Sequence, residues 1–146
     1  MPQLTSSLIT SPLTLPKQKT QLTLKLLNES FSIYRLPVNH NIPSHIYNAP
    51  IFFIAKTYEE ISIVLPQSYK IDSDEVEPNW RALKVVGPLD FNLTGILSKI
   101  ATILANEKIS IFAISTFDTD YILVKQNTVE AAVSALQLNH YQIQRS

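Results

Sequence analysis

Across residues 83–143 the spacing of apolar positions switches repeatedly between the two-residue period of a strand and the 3.6-residue period of a helix. Residues 80–86 alternate loosely as a half-buried strand does, with Leu83 and Val85 on one face and Ala82, Lys84 and Val86 on the other. Gly87-Pro88 breaks that run. Over 93–105, Leu93, Ile96, Leu97, Ile100, Ile103 and Leu104 line one helical face and leave Ser98, Lys99 and Thr102 for the other. Asn92 or Thr94 is the expected N-cap and Asn106 the expected close. Residues 109–116 are rich in β-branched and aromatic residues, carry apolar side chains on both faces and read as an inner strand. Residues 121–125 return antiparallel through the short polar connection Phe117-Asp118-Thr119-Asp120. Asn127 and Glu130 form a capping-box variant before a second helix, whose narrow stripe is Val129, Ala132, Val133 and Leu136. Residues 140–143 supply a last short strand. Strand, helix, strand, strand, helix, strand is the order of a ferredoxin-like βαββαβ unit.

Upstream the pattern is dominated by strands. Leu22, Leu24 and Leu26 alternate with polar residues, Asn28-Glu29 reads as a turn, and 31–36 return as a strand. A proline-bounded stretch, 37–50, has room for one helical turn around 44–47; the strands 51–56 and 61–65 follow, joined by a turn at 57–60. This is a βαββ-like order with a stunted helix. The chain therefore reads as α+β, with a mobile leader at 1–20, an N-terminal unit at 21–66, an acidic linker at 67–79 and a C-terminal unit at 80–146.

Composition narrows the partners. Twelve basic residues balance twelve acidic ones, so the chain lacks the electrostatic footprint of a nucleic-acid or anionic-membrane binder. With no cysteine there is no disulfide, thiol nucleophile or Cys-based metal site, which suits a reducing cytoplasm. No apolar run reaches the roughly 20 residues of a membrane span. His40, His45 and His140 do not form a ligand-spaced set with carboxylates, so no metal is expected. No Ser/His/Asp arrangement in a recognisable context and no phosphate-cradling glycine loop is present, so neither catalysis nor a cofactor is expected.

The segment ISIFAISTFDTDYILVK, following an amphipathic helix, resembles an ACT domain, the small effector-binding module of amino-acid metabolism. Taken with SFSIYRLP, EEISIVLP and NWRALKVVGPLDFNLTGIL, it resembles the small two-unit ACT proteins related to the CASTOR arginine sensors and to the regulatory part of aspartate kinases. The resemblance implies tandem ACT-like units, the N-terminal one reduced in helix, paired into a homo-oligomer such as a dimer. It also implies a non-catalytic regulator that binds a small effector, an amino acid, and acts on a protein not yet identified.

The resemblance points to two loops. Gly87, Asp90, Asn92, Leu93, Thr94 and Gly95 lie in the connection that ACT domains use to turn backbone amides toward an amino-acid carboxylate, chemistry to which a helix N-terminus is suited. The spacing from Asp90 to Gly95 is longer than the commoner Asp-x-x-Gly version. Thr116, Phe117, Thr119 and Asp120 lie in the hairpin that lines the arginine pocket in the CASTOR relatives, where Asp120 stands at the position of an aspartate that receives the guanidinium. Plainer readings stand beside these. Asp118 and Asp120 suit turns that bond their own backbone, Gly95 suits close helix packing as well as ligand approach, and Trp80 and Tyr121 suit core or interface anchors. A constitutive interaction module that has lost its ligand is the alternative function.

Overall fold

The computed structural model describes residues 22–86 and 94–146, and the leader read at 1–20 lies outside them. In chain order its strands are β1 (Thr23–Leu36), β2 (Phe53–Lys56), β3 (Ile61–Pro66), β4 (Val76–Val85), β5 (Ile111–Ser115), β6 (Asp120–Lys125) and β7 (Gln142–Arg145). Helix α1 (Ile96–Asn106) precedes β5 and helix α2 (Val129–Leu138) precedes β7. The two units share one sheet, ordered β2-β3-β1-β4-β6-β5, with β7 added beside the first part of β1.

Strand β1 is the spine of this α+β, ferredoxin-like arrangement. It continues through Asn28-Glu29, where the sequence predicts a turn. Leu26 pairs with Leu83 and Ser30 with Arg81, so the extra β1 residues are absorbed as a bulge and the strand goes on. A second bulge lies on β4, between the pairs Phe31–Trp80 and Ile33–Glu77. There Asn79 adopts φ 68°, a left-handed conformation that Asn tolerates, and its N–H donates to the Gln67 side-chain carbonyl. Strand β4 thus begins at Val76, inside the stretch that reads as an acidic linker.

Strand β7 pairs in parallel with β1 from Thr23–Gln142 to Leu26–Arg145. Strand β5, predicted as an inner strand, pairs among the described residues only with β6 and stands at the end of the strand order. Its two apolar faces come from packing above and below the sheet, which periodicity cannot distinguish from having a neighbour on each side.

Both halves bury the same face of β1. Leu24 and Leu26 pack with Leu83, Val85, Ile122 and Val124 beneath Ile100, Leu104, Ala132 and Leu136 of the helices. Farther along, Tyr34 and Leu36 pack with Ile61, Ile63 and Leu65, covered by Ile46 of the 3-10 turn at Ser44–Asn48, by Ala49 just after it and by Ile71. Because β1 feeds both cores, no single point in the chain separates them.

The opposite face closes by curling. The Phe53 and Tyr121 ring centroids lie 5.0 Å apart although β3, β1 and β4 separate their strands; four strand steps in a flat sheet would span about 19 Å. The curl buries Phe31, Val64, Trp80, Ala82 and Leu123 without a helical cover.

Candidate functional site

Strand direction brings the start of α1 and the β5–β6 turn to one end of the sheet. Strand β4 runs to Val85, α1 leads back toward the far end where β5 begins, and β5 returns to the turn before Asp120. The N-terminus of α1 and the β5–β6 turn therefore share the end at which β4 finishes. There a direct bond ties the turn to the end of β4. Thr119, only 5% exposed, donates from Oγ1 to the Val85 carbonyl at 2.6 Å.

The turn holds itself. The Thr116 N–H donates to the Thr119 carbonyl at 2.8 Å, the Thr116 hydroxyl donates to the same carbonyl at 3.0 Å, and the Thr119 N–H donates back to that hydroxyl at 3.2 Å. Ser115 Oγ donates to Asp120 Oδ1 at 2.6 Å, tying together the last cross-strand pair. Sequence reasoning missed Ser115 as the residue that orients this carboxylate; its place directly opposite Asp120 becomes readable only once the hairpin register is known. Phe117 stands out from the turn at 83% exposure. Burial pushes the Tyr121 hydroxyl up from its ordinary value, and the Asp118 carboxylate adds to the shift.

Gly95 opens α1 in the left-handed region at φ 76°, and among the described residues no atom lies within 4 Å of the place its Cβ would occupy. That left-handed conformation is one a glycine adopts without steric cost. Lys99 N–H donates to the Gly95 carbonyl at 2.9 Å, and a helix leaves the amides of its first turn without intrahelical partners. No acidic residue occupies that turn, and among the described residues no side chain caps it. Thr94 is exposed just ahead of it, whereas Gly87, Asp90, Asn92 and Leu93 lie outside the described residues. At the second helix the capping box is not formed: Thr128 holds the N-cap position without a side-chain cap bond, and Glu130 pairs instead with Arg145.

A separate depression of about 510 Å³ opens on the concave face, lined in part by Ile33, Arg35, Glu60, Ser62, Glu77 and Phe112. Arg35 is engaged there, 3.3 Å from Glu75 and 3.8 Å from Glu60. No group of three or more His, Cys, Asp or Glu residues suited to a metal occurs among the described residues. None of the helices among them is long and apolar enough to cross a membrane.

This α+β, ferredoxin-like architecture is that of an ACT-type module, and the ACT domain family model matches residues 75–137. The chain belongs to the same family as the protein Atu0741 of Agrobacterium tumefaciens, a solved structure to which it is 32% identical with a TM-score of 0.80, over 86% of this chain and 94% of that one. The human cytosolic arginine sensor for mTORC1 subunit 1 is 39% identical over 59 residues, which are 40% of this chain and 18% of the sensor. The chain thus matches less than a fifth of the length of that curated relative. The regulatory subunit of aspartate kinase from Thermus thermophilus shares the fold at a TM-score of 0.58 and 10% identity, over 79% of this chain and 95% of that one.

Proposed function

We propose that this protein is a non-catalytic cytoplasmic regulator which binds an amino acid at the end of its sheet and acts through pairing of ACT units in a homo-oligomer, on a protein still to be identified. The observation that carries this reading is the Thr119–Val85 bond, which ties the β5–β6 hairpin to the end of β4, from which the chain leads on to α1. A ligand carboxylate fits the amides of the 87–95 connection, and the other end of the ligand reaches Thr116, Phe117 and Asp120. An arginine-sensing relative and a regulatory aspartate kinase neighbour support an amino acid as the effector class. In this reading 21–66 and 80–146 remain two functional units, with 67–79 between them and the leader at 1–20 outside both.

A second reading, an interaction module without a ligand, is favoured by one observation. Thr116, Thr119 and Asp120 all have hydrogen-bond partners within the chain, as a purely structural hairpin would.

Thermal denaturation against the twenty amino acids separates the two readings. A ligand at a hundredfold over its Kd stabilises the folded state by about 2.7 kcal/mol, so one amino acid or a chemically related group should raise Tm while the rest leave it unchanged. Silence across the whole panel would sink the amino-acid reading. With a ligand in hand, calorimetry of Asp120→Ala should show binding weakened by roughly 1.5–3 kcal/mol, the value of a hydrogen bond to a charged group.

A further inference from the structure

We infer that the depression on the concave face of the sheet is a second ligand site, one that takes an aliphatic diamine, two ammonium groups joined by an apolar chain. The inference goes beyond the amino-acid reading and does not depend on it. Strand β4 starts at this depression, with Val76 and Glu77, and finishes at Val85, where the candidate site lies. A strand of ten residues spans about 30 Å, so one small molecule cannot serve both ends.

The floor of the depression is apolar and uncovered. Ile33 and Phe112 are only half-buried and Val76 is 37% exposed, although all three line the cavity. The cluster on this face has no helical cover among the described residues, so the apolar surface at its Arg35 end stays in contact with water. An alkyl chain laid across it removes that surface from water at no cost in polar groups.

Charge complementarity fixes what the two ends of the chain must carry. Glu60 comes from the turn before β3, Asp74 and Glu75 from the approach to β4, and Glu77 from β4 itself. Arg35, the one cation in the lining, meets Glu75 at 3.3 Å and Glu60 at 3.8 Å. Lys125, outside the lining, meets Glu77 at 3.1 Å. Four carboxylates against two cations leave two negative charges, the complement of a dication.

The carboxylates do not converge on a point. No group of three or more His, Cys, Asp or Glu among the described residues is placed to hold a metal ion, so the charge is spread along the rim and suits separated ammonium groups. A ligand that carries its own carboxylate is repelled here, which sets this site apart from one built for a free amino acid.

Calorimetric titration of the full chain at low ionic strength, with 1,5-diaminopentane as the probe, tests the site. The diamine should bind at a single site. Loss of the second charge in 1-aminopentane should weaken binding about fivefold or more, shortening to 1,3-diaminopropane should weaken it by a similar factor through lost apolar contact, and 5-aminopentanoate should not bind. Asp74 makes no ion pair among the described residues, so Asp74→Asn should leave the fold intact and weaken the diamine roughly fivefold. Asp72→Asn removes the same charge just outside the lining and should leave affinity unchanged. Equal losses in the two variants, or equal binding of monoamine and diamine, would reduce the attraction to general surface charge and overturn the site, as would a diamine that does not bind. Asp120→Ala should leave diamine affinity as it was; a loss there would move the diamine to the end of the sheet and overturn the inference, whereas silence in the amino-acid panel would not touch it.

Discussion

The two halves of the sheet bury the same face of the same strand under different covers. At the β7 end, Leu24 and Leu26 lie beneath two helices that bring Ile100, Leu104, Ala132 and Leu136 on regular stripes. At the β3 end, Tyr34 and Leu36 lie beneath irregular chain that buries Ile46 of a single 3-10 turn, Ala49 just after it and Ile71, with Ile42, Phe52 and Tyr69 packed at the margin. Ile46 and Ile100 are both 0% exposed. What a sheet face requires is apolar volume, and a helix is one way to deliver it. A helix holds its side chains on a hydrogen-bonded rod, whereas a loop has to be held by bonds such as His45 Nε2 to the Lys70 carbonyl at 2.7 Å and Tyr69 hydroxyl to the Asn48 carbonyl at 3.3 Å.

The largest expected effect tests this comparison directly. Ile100→Ala should cost about 2–5 kcal/mol in chemical denaturation, because its neighbours on α1 cannot shift far enough to fill the space. Ile46→Ala removes as much buried surface from a cover able to collapse, and should cost roughly 2 kcal/mol, near the lower end of that range. Equal losses would show that the loop packs as rigidly as the helix.

The same contrast explains what was legible in the sequence. Both helices and the two hairpins follow from periodicity, since each is a local pattern with its own turn. The continuity of β1 through Asn28-Glu29 was not legible, because two turn-forming residues look alike whether they reverse a chain or sit in a bulge. Nor was the pairing of β7 with β1, or the edge position of β5, since neither leaves a mark in its own segment. At the candidate site the β5–β6 turn was legible as a polar break. Its bond to the end of β4 was not, because Thr119 inside a polar turn gives no sign that its hydroxyl is buried against Val85.

A smaller effect is expected at Gly95, where the loop-to-helix transition depends on one left-handed residue. Gly95→Ala should destabilise the protein by about 1–2 kcal/mol through backbone conformation alone. Gly95→Asn should cost less, because Asn visits that region more readily. If the two substitutions cost the same in thermal melts, contact rather than conformation would be the reason for the glycine.

The smallest expected effect lies in the bond that holds the last strand to its helix. Arg145 of β7 meets Glu130 of α2 through two contacts, 2.8 Å and 3.2 Å. Hydrogen bonding to Arg145, and then its charge, hold the Glu130 carboxyl below its ordinary range. A carboxyl lowered in the folded state stabilises that state fully above the ordinary glutamate value of about 4.3, and the contribution disappears as pH falls through the lowered folded value. Glu130→Gln should therefore melt slightly below the parent at neutral pH, with the gap closing on acidification below about pH 4. The counterpart in the other half is Arg35 on β1, flanked by Glu60 and Glu75 at longer distances, 3.8 Å and 3.3 Å. Arg35→Gln should change stability less than Arg145→Gln in the same melts, because two short parallel bonds fix a guanidinium better than two longer contacts to separate side chains. The reverse order would mean that the loop-covered half depends more on its surface charges than the helix-covered half does.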